Sequence, residues 1–240
     1  RDPSVFKNYI APKNFIINKN FYRRALKVFA QSTPHSEILK KNLKLKNIDV
    51  LPCSLWSDNE LSILRENMGI AKVPSAAIME SGNLIKNTAG AVEHCIKNNK
   101  DYELISGPYE KFIGELSRHE EFVFFPKVLE SFSRICVEAR ILGCKISTNQ
   151  LASCTHEEWY KKYKGEELLN FVDIKRKEVV EQIVKPFDST KEKFQKISDI
   201  TVILNCYRRP YNLDMQIAAI RKQPKQPKEI LLWVNHHEDN

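Results

Sequence analysis

Between Val73 and Asn149 the chain repeats one pattern: a short apolar run, a turn, a helical segment, and another apolar run. VPSAAIM, YELIS, EFVFFP and KISTN have strand composition, while NTAGAVEHCIKNN, YEKFIGELSRH and SFSRICVEARIL have helical periodicity. Strands separated by helices of about ten residues or more return to the same end of a sheet, so they pair parallel, with right-handed crossovers. The expected fold class is α/β, a Rossmann-like parallel sheet flanked by helices. No G-x-G-x-x-G follows its first strand, which argues against a dinucleotide dehydrogenase.

The flanks extend the pattern. LKVFAQS reads as a strand, and Thr33 as an N-cap with Pro34 at the first helical position leads into HSEILKKNL. NIDVLP is another strand; WSDNELSILRENMG is a helix with Ser57 or Asp58 as its N-cap and Gly69 as its stop. After the sheet, HEEWYKKY and GEELLNFVDIKRKEVVEQIV read as helices, and Pro186 is expected to end the second. DSTKEKFQKIS is charged, without a core pattern, and reads as a linker. A second α/β start follows: ITVILNCY as strand, YNLDMQIAAIRKQ as helix, QPKQP as turn, EILLWVN as strand. The chain opens at Arg1 without methionine and stops just after that strand, so it reads as a piece of something longer.

Composition narrows the function classes. No apolar run approaches the roughly 18 residues that span a bilayer, and no signal-peptide pattern opens the chain, so a cytoplasmic location is expected. The six cysteines show no C-x-x-C spacing and read as reduced, buried thiols, without a zinc site. A formal charge of +8 implies attraction to anions. Its lysines recur in separate groups, at Lys40, Lys41, Lys44 and Lys46, at Lys161, Lys162 and Lys164, and at Lys222, Lys225 and Lys228. No nucleic-acid-binding signature accompanies them, so nucleic acid is not an expected partner. Phosphorylated small molecules, or peripheral association with an anionic membrane face, fit the charge. His94 and His119 read as surface or packing residues.

One residue conflicts with its helix. On a wheel at about 100° per residue, Glu138 falls between Ile141 and Leu142 on a nearly all-apolar circumference. A carboxylate there is partly desolvated and needs a donor, from the protein or from a ligand. A second carboxylate, Glu130, follows the strand FVFFPK, at the strand's carboxyl end, where open α/β sheets bind ligands.

The segment FPKVLESFSRICVEARILGCKISTN resembles the nucleotide-sugar-binding half of retaining GT-B glycosyltransferases. The shared pattern is a strand ending in Pro, a Glu, seven residues, a second Glu followed by Ala, and a Gly before the next strand; here Glu130, Glu138, Ala139 and Gly143. The resemblance implies that Glu130, as the catalytic-site glutamate, reaches the donor sugar's hydroxyls, with Ser131 and Phe132 beside it. It implies too that Glu138 bonds the ribose. IMESGNLIKNTAGAVEHC is similar to the family's first strand and loop, in which a Lys before the helix contacts the donor diphosphate; Lys86 matches it. Ser81 stands where the family carries an Arg, and Gln150 to Cys154 replace its Gly-rich turn. LKVFAQSTPHSEILKKNL is similar to the end of the amino-terminal GT-B half.

The last segment resembles the opening of GT-A (family 2-like) glycosyltransferases, in which a Tyr-x-Arg-Pro-like turn and a later Asp hold the nucleotide. Tyr207, Arg209 and Pro210 match the turn, and Asn235 stands at the Asp position. The expected domains are 1–55, the end of the amino-terminal GT-B half; 56–186, the donor-binding domain; 187–198, a linker; and 199–240, the GT-A-like start. The resemblance implies transfer of a sugar from a nucleotide-diphosphate donor to a glycan or lipid-linked acceptor. It implies no cofactor in the GT-B part and allows a divalent metal in the GT-A part, whose Asp-x-Asp would lie beyond Asn240. The alternative is a catalytically degenerate sugar-nucleotide-binding or scaffolding module.

Overall fold

The computed structural model describes residues 19–25, 27–46, 48–188, 201–206, 210–223, 227 and 229–234. They form an α/β protein in two compact units, residues 1–181 and 182–240.

The described residues of the first unit begin with α1 (Lys19–Arg24), then β1 (Val28–Ala30), α2 (Thr33–Leu43) and β2 (Ile48–Val50), with β1 and β2 paired in parallel. The N-cap of α2 is Ser32, one residue before the expected Thr33. Its hydroxyl accepts from His35 N–H at 3.2 Å, and Thr33 and Pro34 fill the first turn. Next comes α3 (Asp58–Glu66), whose N-cap Ser57 forms a reciprocal capping box with Glu60.

The main sheet contains β3 (Val73–Met79), β4 (Tyr102–Ile105), β5 (His119–Phe124) and β6 (Lys145–Thr148), all parallel, in the order β4-β3-β5-β6. The connecting helices are α4 (Thr88–Lys97), α5 (Tyr109–Leu116) and α6 (Arg134–Ile141). The two central strands are buried on both faces, as parallel strands between helices must be. Ala76, Ile78 and Val123 pack on Ala91 and Cys95 of α4. The alternating residues Ala77, Phe122 and Phe124 turn the other way and are equally buried. From β3 the chain steps outward to β4, then crosses back over β3 to β5 and on to β6. Right-handed crossovers in opposite directions lie on opposite faces, so the connection reverses between β3 and β5. In open α/β sheets such a reversal is where a ligand crevice forms, at the carboxyl ends of the strands.

After the sheet come a short 3-10 turn (Ser153–His156), α7 (Glu158–Lys162) and α8 (Gly165–Asp188). Helix α8 runs two residues past Pro186, correcting the expected stop. In the last turn a proline removes one hydrogen bond and leaves little helix to disrupt. Among the described residues of the second unit, β7 (Thr201–Cys206) and β8 (Glu229–Val234) pair in parallel, with α9 (Pro210–Arg221) between them in sequence, as in a βαβ unit. No described helix is long and apolar enough to cross a membrane.

At the amino edge of the sheet, the pairing of β3 with β5 slips between Val73 and Ala76. Pro74, without an N–H to donate, lies inside that slip. Ser75 there bonds Nδ1 of buried His119 at 2.7 Å, while Nε2 lies 3.5 Å from Glu103. His119 is thus a core residue of β5. Burial holds its pKa below the ordinary 6.5, with Glu103 and Glu115 opposing that shift and Lys72 and Arg118 adding to it. As pH falls, the unfolded chain takes up this proton first. The His119 contribution to stability is therefore complete above about pH 6.5 and declines below it, until the depressed folded value is passed. Urea midpoints across pH 5 to 7.5 should fall more steeply on acidification for the wild type than for His119→Gln; parallel slopes would contradict the assignment.

Candidate functional site

The loops that follow β3 and β5 meet at the reversal point of the sheet. Lys86, at the end of the first loop, reaches across to Glu130 in the second, with Nζ 2.8 Å from Oε2. The loops are tied by backbone as well: Lys127 N–H donates to Ile85 O at 2.9 Å. Glu130 is held from below by its N–H to Leu151 O at 2.9 Å and a parallel bridge to Ala152. This ion pair is half-buried, at 32% exposure for Lys86 and 17% for Glu130, so a ligand can still reach both side chains.

Two helices begin at this edge without a side-chain cap. Asn87 before α4 and Ser133 before α6 adopt left-handed backbone, with φ of 58° and 62°. Asn87 turns its amide to Phe125 O at 2.8 Å. The Ser133 hydroxyl is buried without a partner. Left-handed backbone at a serine costs roughly 1–2 kcal/mol, so the loop geometry is imposed by its surroundings. The result is two helix N-termini, without side-chain caps, at the positive end of each dipole; in the first turn of α6, Cys136 N–H donates to Ser133 O at 3.0 Å.

Ser131 and Phe132 are fixed from the amino-terminal side. Ser131 O accepts from Ser32 Oγ at 2.8 Å, and its hydroxyl donates to Gln31 Oε1 at 3.0 Å. Glu157 ties down the same β1–α2 turn, accepting from Thr33 N–H at 2.7 Å. Phe132 is buried between Trp56 and Trp159, each with its ring centroid 6.1 Å away.

Glu138, on the second turn of α6, is 3% exposed, as the wheel required. Its donors come from the protein. Trp56 Nε1–H at 2.9 Å, Tyr109 O–H at 3.1 Å and Arg134 Nε–H at 2.6 Å all end on Oε1. None of the hydrogen bonds made by the described residues to this carboxylate ends on Oε2. Arg134 also places Nη2 2.6 Å from Glu60 Oε1 and lies over the rings of Trp56 and Tyr109, 5.2 and 5.4 Å from their centroids.

The charges are consistent with this packing. Burial and the Glu138 charge push the Tyr109 phenol well up, keeping it a donor. Burial disfavours the Arg134 cation, yet Glu138 and Glu60 together hold it charged. Burial also pushes the Glu60 carboxyl up, but the Ser57 N–H and the Arg134 guanidinium outweigh it and hold its pKa below 4.5.

The structure therefore brings Lys86 and Glu130 together, places Ser131 and Phe132 beside them, and sets Glu138 in a separate polar cluster on the following helix. Trp56, Glu60, Tyr109 and Arg134 were not singled out by sequence as partners of Glu138. Arg134 could have been, because it lies one turn before Glu138 on one helix face. Trp56 and Tyr109 come from distant elements and carry no local signal. Tyr207, Arg209 and Asn235 lie outside the described residues. Among the described residues no three His, Cys, Asp or Glu side chains gather as a metal site requires. Comparison of the chain with family models, with curated proteins and with solved structures found no match.

Removing one partner of a buried ion pair typically costs about 3–5 kcal/mol. Urea unfolding of Glu138→Ala should show a loss of that size, and Trp56→Phe, which deletes one donor to a charged group, about 1.5–3 kcal/mol. A loss below about 1 kcal/mol for Glu138→Ala would show that the cluster does not hold the fold.

Proposed function

We propose that the first unit is the donor-binding half of a glycosyltransferase, holding a nucleotide-diphosphate sugar in the crevice between the β3 and β5 loops. The observation that carries this reading is the convergence of Lys86 and Glu130 at the reversal of a parallel sheet, beside two uncapped helix N-termini. An ammonium group and two helix N-termini form an anion site suited to a diphosphate, while the Glu130 carboxylate accepts from sugar hydroxyls. As the glycosidic bond breaks, negative charge grows on the departing diphosphate, and Lys86 with the helix ends stabilises it. Lys86 released from Glu130 gains a phosphate partner, and Glu130 gains hydroxyl donors, so neither charge is left unpaired.

The Glu-x7-Glu resemblance supports the same reading. It extends to a glycan or lipid-linked acceptor, work at the cytoplasmic face of a membrane, and a GT-A-like second activity begun by the βαβ unit of β7, α9 and β8. A second reading, a degenerate module that binds the donor without transferring it, is favoured by the three protein donors already on Glu138 and by Ser81, which brings no cation.

Calorimetric titration with UDP, GDP, ADP and their sugar conjugates tests the proposal. One nucleotide series should bind, and Lys86→Met and Glu130→Gln should each weaken its sugar conjugate by about tenfold or more, the worth of a charge-assisted bond. Binding followed by hydrolysis or transfer of the sugar supports the enzyme, and binding without either supports the degenerate module. Equal, steeply salt-dependent binding of any polyanion would overturn both.

A further inference from the structure

Arg134 is a tightly held charged side chain, set between two carboxylates and two aromatic rings, and nothing in the donor-binding reading uses it. It stands at the first position of α6, where a cation is opposed by the helix dipole, and no acidic residue shares that turn. It is held there by side chains alone: two carboxylates, at 2.6 Å each, and two aromatic faces. Its side chain remains 30% exposed, so a path outward exists. What it covers is the Oε1 atom of Glu138.

We infer that Arg134 is a gate on this site, competing with the ligand for Glu138; the inference rests on the donor-binding reading. A ribose diol carries two hydroxyl donors and engages a carboxylate fully only with both oxygens. Oε2 has no donor among the described residues, and Oε1 is crowded with three. For the diol to take both, the Arg134 bond must yield, while Trp56 and Tyr109 continue to support the carboxylate. Glu60 sets the strength of the gate from outside the ligand contacts. Its Oε1 faces Arg134, and its Oε2 closes the capping box by accepting from Ser57 N–H at 2.7 Å. The two jobs fall on different oxygens. A ligand binding to a state populated only in part has its dissociation constant raised by the inverse of that population. Nucleotide affinity is thereby set in part by an ion pair the nucleotide never touches.

Glu60→Gln separates the two jobs. Glutamine keeps the capping-box acceptor and turns an amide N–H₂ toward Arg134 in place of the carboxylate oxygen, so the helix cap survives and the gate loosens. Arg134→Met removes the gate outright and fills the slot between the rings with a flexible apolar chain. The probes are UDP, GDP and ADP, titrated calorimetrically into the full chain, with far-UV circular dichroism and a melting curve for each variant. The preferred nucleotide should bind about threefold to tenfold more tightly to Glu60→Gln and about tenfold or more tightly to Arg134→Met. If Arg134→Met does not fold, Glu60→Gln decides. Unchanged or weaker affinity in the folded variants overturns the gate and leaves the donor site standing. No binding by the wild type or any variant overturns the donor site, and the gate falls with it.

Discussion

A buried carboxylate with three donors on one oxygen organises this fold. Glu138 belongs to α6, Trp56 precedes α3, Tyr109 opens α5, and Arg134 carries the connection on to Glu60 in α3. A charge this deep would be costly alone, and the cluster offsets that cost by drawing three helices and a loop to one point. The aromatic chain from Trp56 through Phe132 to Trp159 and Phe171 extends the same packing to α8. Arg176 of α8 returns to the same place, donating to Trp56 O at 2.6 Å. The segments before the sheet are thereby fixed against it.

The order of the elements was legible because the relevant signals are local. Alternating apolar runs, Ser57 with Glu60, and Pro and Gly near helix ends each act within a few residues, and each expected strand and helix of the main sheet is present. Misjudged details were local competitions: Ser32 displaced Thr33 as a cap because its hydroxyl reaches His35 N–H, and α8 tolerated Pro186 in its last turn. Glu138 was legible as a conflict without its resolution. The wheel required a donor, but two of its three donors come from residues 82 and 29 positions away. No periodicity encodes such pairings. His119 is the packing residue that one of the two readings expected, but it begins β5 instead of ending the helical segment YEKFIGELSRH.

The candidate site divides into two parts with different demands. Lys86 and Glu130 form a half-buried pair at the reversal point of the sheet, where a ligand could exchange partners with them at little cost. Glu138 belongs to a buried cluster that places three donors on one of its oxygens and whose disturbance costs stability. Under the proposed donor-binding reading, a ligand that reaches both parts would couple occupancy of the Lys86–Glu130 pair to the packing of α3, α5 and α6.

The most direct test of that coupling is the indole N–H region of the ¹H–¹⁵N spectrum, with the Trp56 resonance assigned by its loss in Trp56→Phe, recorded during titration with whichever of UDP, GDP or ADP binds. The account predicts a slowly exchanging Trp56 indole proton, bonded to Glu138, whose resonance moves in step with occupancy. Saturation of the nucleotide with the Trp56 resonance unmoved would mean that the ligand binds without engaging Glu138, and would contradict the account.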